Sequence, residues 1–297
     1  MSGLQTFVAG DRFVTASTLD DSARFPTGRG KVLQFDAEWN LKASAETGHT
    51  GLISALVLDA SGTLHALDPQ ARQINSFTRD GAPARCFANL PSRAYGSMIV
   101  LPDGEFLIGE HMVGAIPGFS GDGKVYRVAI DGTVLATYDT ETNGGMGTFL
   151  GVTHMALSAD GNTLFHTSET GAIVYAHDLV ADRRMGAVYT RQDPPPLVFG
   201  LAMLSDGQLA LACGNGLRRI DPANGNAAPI ALPEGRGWAV PIVQNNVGAA
   251  ERQMLWVLDF FGGRVASIDA KTGAVAELCE LGLAKCLTGL AEVPATF

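Results

Sequence analysis

Positive charge is scarce in this chain and nowhere gathered. Lysine and arginine number 21 against 30 aspartates and glutamates, a formal net charge of −9, and no run is rich in basic residues. Phosphate backbones and anionic membranes are held by concentrated basic surfaces, so neither a nucleic acid nor a membrane is expected as a partner. Long hydrophobic runs are missing too. Nowhere do the roughly eighteen consecutive apolar residues of a membrane span occur, and the opening Met1-Ser2-Gly3-Leu4-Gln5 is not a basic segment leading into an apolar one. A soluble, cytoplasmic protein is the expectation.

Cysteine is sparse, with 4 residues and no Cys-x-x-Cys spacing. Cys86 and Cys213 sit in separate apolar stretches, while Cys279 and Cys286 flank a loop. Free thiols are expected, and a pairing of Cys279 with Cys286 stays open. Other signatures are also absent: no His-Glu-x-x-His, no Gly-x-x-x-x-Gly-Lys-Ser/Thr, no Gly-x-Ser-x-Gly. The glycine-rich stretch 114–123 lies between two strand patterns rather than before a helix, which makes it a loop and not a dinucleotide site.

What is present is a large apolar fraction, 46%, and 36 glycines, which suit a big core and many tight turns. One phrase recurs: apolar run, Asp-Gly or Ser-Gly turn, apolar run ending in a small or acidic residue. It reads Leu56-Val57-Leu58-Asp59-Ala60-Ser61-Gly62-Thr63-Leu64-His65-Ala66-Leu67-Asp68, and returns around Asp103-Gly104, Asp160-Gly161 and Asp206-Gly207. The turn glycines are 42, 57 and 46 residues apart. Repeats of that size with several short strands each point to an all-β, six-bladed β-propeller.

In each blade an innermost strand A turns through Asp-Gly into strand B, and strands C and D follow. The expected spans are 51–78, 95–138, 151–189, 198–232 and 238–278 for blades two to six. Two orphans remain. Residues 287–294 look like a strand A without partners, and Arg12-Phe13-Val14-Thr15-Ala16-Ser17 like a strand B without an A. Joined in one blade, with C at 31–36 and D at 41–44, they close the ring and remove exposed sheet edges. A β-sandwich or barrel leaves these complementary ends unexplained. One β-propeller domain over 1–297 is expected.

Strand order converts position into geometry, because the start of A, the end of B and the B-to-C loop share one rim. Aligned B strands place Ser17, Asp68, Glu110, Ser168, Cys213 and Asp259 at equivalent points around the channel mouth. Asp68, Glu110 and Asp259 are hard oxygen ligands suited to a divalent cation such as Ca²⁺; alternatively, each caps its own turn or pairs with an arginine. His111, beside Glu110, and His154, opening a strand A, are the candidate acid–base residues. His49, Glu169, Arg236 and Trp238 complete the rim as candidate substrate contacts. The B-to-C loops at 18–30 and 111–123 are long enough to cover a pocket.

The phrase Leu255-Trp256-Val257-Leu258-Asp259, followed by Arg264-Val265-Ala266-Ser267-Ile268-Asp269, resembles blades of the gluconolactonase/regucalcin, strictosidine synthase-like and NHL-repeat propellers. Gly104-Glu105-Phe106-Leu107-Ile108-Gly109-Glu110, continued by Gly123-Lys124-Val125-Tyr126-Arg127-Val128, is similar to a blade of virginiamycin B lyase. Likeness to gluconolactonases implies lactone hydrolysis with a divalent metal held in the channel by Glu, Asn and Asp. Their Glu-Gly-Pro-x-Trp phrase is absent here, and Thr153-His154 stands where they carry Asn-Gly. The reading is an enzyme that hydrolyses a small lactone or ester at the mouth. A lyase using a rim histidine with a cation, and a propeller that binds a ligand or partner without turnover, are the alternatives.

Overall fold

The computed structural model describes residues 3–17, 29–50, 53–84, 87–92, 94–113, 123–141, 150–169, 171–192, 198, 200–213, 216–234, 238, 242–243 and 254–295. They form six antiparallel sheets arranged as the blades of a propeller. Blade 1 comprises Leu290–Glu292, Arg12–Ser17, Arg29–Phe35 and Leu41–Thr50 as strands A to D, so the two ends of the chain meet in one sheet. Blade 2 is Ala55–Leu58, Leu64–Asp68, Gln73–Phe77 and Phe87–Ala88. Blade 3 is Tyr95–Val100, Phe106–Val113, Val125–Val128 and Val134–Tyr138, and blade 4 is His154–Leu157, Thr163–Thr167, Ile173–Asp178 and Arg183–Thr190. Gly200–Met203, Leu209–Ala212, Leu217–Ile220 and Ala227–Ile230 form blade 5; Ile242–Val243, Met254–Asp259, Arg264–Asp269 and Val275–Glu280 form blade 6.

The expected spans differ from the structure in three places. Strand D of blade 2 lies at Phe87–Ala88, beyond the expected end at residue 78. Strand D of blade 1 runs on to Thr50, so His49 belongs to that strand rather than to a lead into blade 2; its side chain lies outside the described residues. Leu150–Gly151, expected to open blade 4, pairs instead with Val113 and His111 of blade 3.

The recurring turn is one hydrogen-bond pattern. In blade 3 Leu101 N–H donates to Glu105 O at 2.8 Å and Gly104 N–H to Leu101 O at 2.9 Å, and the same pair joins Leu204, Gln208 and Gly207 in blade 5. Gly104 and Gly207 have φ of +84° and +81°, and a Cβ at either would meet no atom within 4 Å. Glycine is therefore required there by the backbone angle and not by space.

Apolar side chains of neighbouring blades pack together, so the core is a set of seams. Leu107, Val125 and Tyr138 of blade 3 pack on Met155 and Leu164 of blade 4. Val14 and Phe35 of blade 1 pack on Trp256, Leu258 and Val265 of blade 6. This last seam also carries a polar clasp. Arg12, opposite Glu292 in the A–B pairing, donates to both carboxylate oxygens of Glu277 at 3.1 Å. Its guanidinium lies 4.6 Å from the ring centres of both Trp39 and Trp256. Trp256 Nε1–H in turn donates to Glu292 at 2.9 Å. A planar cation between two indoles, with bidentate pairing at its edge, is a site that lysine cannot fill. Removing it takes the cation from the largely buried Glu292 and the partly exposed Glu277, to each of which an indole N–H still donates. Arg12→Ala is expected to lower unfolding free energy by about 3 kcal/mol in urea titrations; a loss below about 1 kcal/mol would show that apolar packing alone closes the ring.

Candidate functional site

The aligned B-strand ends do share a rim, and five of the six are described with their side chains. Asp68, Glu110, Ser168, Cys213 and Asp259 are all buried; the side chain of Ser17 lies outside the described residues. Each of the three acids has partners in or beside its own blade. Asp68 accepts the Ala71 N–H at 3.1 Å on one oxygen and the Thr47 hydroxyl at 3.1 Å on the other. Glu110 accepts the Gly123 N–H at 3.0 Å and the Tyr126 hydroxyl at 3.3 Å. Asp259 accepts the Gly262 N–H at 2.7 Å, while its other oxygen takes both Nε and Nη2 of Arg264 at 2.9 and 2.6 Å. Each carboxylate thus fastens the B-to-C connection of its own blade.

That arrangement does not fit a shared divalent cation. Oxygens committed to backbone N–H groups and to a guanidinium cannot also converge on one ion without releasing buried donors. Among the described residues no group of three or more His, Cys, Asp or Glu side chains is placed to hold a metal.

Trp238 is likewise part of the wall and not an open platform. It is buried, its indole N–H donates to Pro233 O at 3.1 Å, and the Arg264 guanidinium lies 5.1 Å from its ring centre. Arg236 lies outside the described residues, as do 18–28 and 114–122, the greater part of both long loops. His65, His166 and His177 are structural, as their strand positions suggest. His65 bonds Ser76 and Asp59 at 2.8 and 3.1 Å, His177 bonds Asp182 at 3.0 Å, and buried His166 faces Glu141 at 3.8 Å.

The structure does bring together His111, His154 and Glu169, at the seam of blades 3 and 4. His111 Nε2 lies 3.4 Å from Glu169 Oε2. His154, half-buried at the head of blade 4, interacts electrostatically with both. Burial drives the His154 pKa from 6.5 down to about 4; Glu169 pulls it up and His111 pushes it further down. Burial alone raises Glu169, but the hydrogen bond and charge of His111, with the charge of His154, leave it below the ordinary carboxylate range. At neutral pH the site therefore pairs an ionised carboxylate with an uncharged His154.

Local backbone explains the gathering. Strand B of blade 3 overruns its hairpin partner, and Leu150–Gly151 docks along the extension, placing Gly151 opposite His111. Val152 N–H donates to Glu110 O at 2.6 Å, which sets Thr153 and His154 beside that strand. Thr153 Oγ1 then accepts the Glu169 N–H at 2.8 Å and holds the carboxylate over the seam. Gly151, at φ +107°, would put a Cβ 2.3 Å from Glu110 O, and a Cβ on Gly96 would come 2.8 Å from that of His111. Sequence reasoning assigned no role to Thr153, Gly96 or Gly151. Their only signal is small residues beside the candidate histidines.

No family model matches the chain, and no curated protein sequence matches it. Solved structures share its fold at low identity. A catalytically inactive virginiamycin B lyase from Staphylococcus aureus, with quinupristin, is 13% identical with a TM-score of 0.59, over 99% of this chain and 96% of that one. A chain of a nidogen/laminin complex is 13% identical with a TM-score of 0.65, over 96% and 99%. A protein of unknown function from Bacteroides caccae is 11% identical with a TM-score of 0.63, over 96% and 99%. The six-bladed β-propeller is shown by these likenesses together with the sheet topology.

Two outcomes follow from this geometry. In an imidazole NMR titration His154 is expected to stay neutral down to about pH 5 and to titrate near pH 4, and in Glu169→Gln to titrate lower still. Because its folded pKa lies below the unfolded value, the folded state binds fewer protons between the two. The stability it contributes is thus present above pH 6.5 and falls away as pH drops from 6.5 towards 4. A His154 resonance titrating at 6 or above sinks this account. Gly151→Ala is expected to destabilise by more than about 2 kcal/mol, combining left-handed strain with overlap on Glu110 O; a neutral effect in thermal melts contradicts the close approach.

Proposed function

We propose that the mouth of the channel at blades 3 and 4 is a general acid–base site that hydrolyses a small lactone or ester. The observation that carries this reading is Glu169 Oε2 3.4 Å from His111 Nε2, with His154 near enough to interact with both. A carboxylate at His111 Nε2 favours the tautomer with its proton there, leaving the Nδ1 lone pair as base. His111 takes a proton from water as the oxygen attacks the carbonyl carbon, and Glu169 stabilises the imidazolium that forms. His154, uncharged at neutral pH, offers a ring N–H to the carbonyl oxygen as negative charge develops on it. A neutral imidazole is suited to that task because it polarises without being a strong acid. The leaving alkoxide then recovers the proton from His111.

The same residues suit a second reaction. If the base meets an acidic C–H beside the carbonyl instead of a water, C–O elimination results, and one fold neighbour is a virginiamycin B lyase. A third reading, ligand or partner binding without turnover, draws on a fold neighbour taken from the nidogen/laminin complex.

One experiment separates them: a panel of lactones and activated esters is turned over in ¹⁸O-labelled water. Hydrolysis places the label in the product acid, elimination gives an unlabelled unsaturated product, and a binding protein gives neither. His111→Ala is expected to lower kcat/KM by about 10²–10⁴-fold, and His154→Ala and Glu169→Gln by about 10-fold or more, with the fold intact. Activity within twofold of the native protein in both histidine variants rules the site out.

A further inference from the structure

On the rim opposite the candidate site, where the Asp-Gly turns lie, a cleft of about 450 Å³ opens between blades 3 and 4. Its apolar wall includes Leu101, Pro102, Leu179 and Val180. Val180 is 78% exposed, the highest among the exposed large hydrophobic residues described. It is nevertheless held rigidly. Asp178 Oδ1 accepts the N–H groups of Val180 and Ala181 at 3.0 and 2.9 Å, and Leu179 N–H donates to Asn162 O at 2.9 Å. Asp182 closes the turn at φ +46° with its carboxylate on His177. An apolar side chain presented by a fixed turn loses little entropy when covered, which is the condition for a binding anchor.

The charge of the cleft is one-sided. Arg127 is shared by Asp103, at 2.8 Å, and Glu105, while Asp160 takes its bonds from the neutral Ser158 and Asn162. Two carboxylates, Asp103 and Asp160, therefore line the cleft against one guanidinium, and Asp160 holds only neutral partners. Ile130, Val134 and Leu135 on blade 3 and Met185 on blade 4 add exposed apolar surface to the same two blades.

We propose that this cleft docks a protein segment in which an arginine or lysine is flanked by aliphatic residues. The cation lies against Asp160, its aliphatic stem and neighbours cover Val180 and Pro102, and the charge excess disfavours acidic segments. The cleft is built at the opposite ends of the strands that carry His111 and His154, so this site stands or falls independently of the catalytic reading.

The test is fluorescence anisotropy of the whole protein with a labelled peptide of sequence Leu-Val-Arg-Val-Leu. Saturable binding that weakens with added salt is expected. Asp160→Asn and Val180→Ser, both on the surface, are each expected to weaken it about fivefold or more with unchanged melting temperature. A peptide with glutamate for arginine should fail to bind. Three results overturn the proposal: no saturation at millimolar protein, affinity unchanged in both variants, or arginine amide alone competing as well as the peptide, which would mark a small-cation site.

Discussion

Closure of the ring is the constraint on which the other features rest. A blade buries its apolar faces only if a blade stands on each side, so six seams form together or the end blades stay exposed. Here the covalent chain breaks inside blade 1, and three residue pairs between Leu290–Glu292 and Arg12–Ser17 replace the missing connection. Those pairs are few. Arg12, stacked between Trp39 and Trp256 and tied to Glu277 and Glu292, adds side-chain interactions that span blades 1 and 6. Burial raises the Glu292 carboxyl against the opposing pull of Trp256 and Arg12. Folding therefore favours the protonated carboxyl, and the stability Glu292 itself contributes is present at lower pH and lost as pH rises through that raised value, whereas its attraction to Arg12 requires the ionised form.

Within a closed ring, each strand end becomes a fixed address on the rim. The same address is used in two ways. In blades 2, 3 and 6 a carboxylate there accepts a backbone N–H group of its own B-to-C connection and is spent on architecture. One residue beyond it, at His111 in blade 3 and Glu169 in blade 4, side chains turn towards each other across the seam. Neighbouring positions thus serve structure and chemistry separately. The acids that stabilise the turns need not sacrifice any bond for the site to work.

The blade count, the Asp-Gly turns and the union of the two termini were legible because each depends on local rules: a positive φ that selects glycine, a strand period of two, and orphan strands that complement one another. The rim addresses of Asp68, Glu110 and Asp259 were legible for the same reason. Their partners were not. Whether Asp259 meets a cation or Arg264 depends on a rotamer and on a residue only five positions away, and the alignment is blind to both. Trp238 shows the same gap, since an aromatic at the mouth reads as a platform until Arg264 is seen over its ring. The docking of Leu150–Gly151 on strand B of blade 3 has no counterpart in the repeat phrase, so nothing in the periodicity marks it. That pairing, more than any motif, is what draws His154 beside His111.

The place of the Arg12 clasp in the ring has one more consequence. Counting seams around the circle, the join of blades 6 and 1 lies diametrically across from the join of blades 3 and 4. Opening the ring at the three-pair join of blade 1 would uncover Phe13, Val14 and Leu290, all buried. That join stands on the side of the ring away from His111, His154 and Glu169, whose two blades are each closed by consecutive strands of the chain.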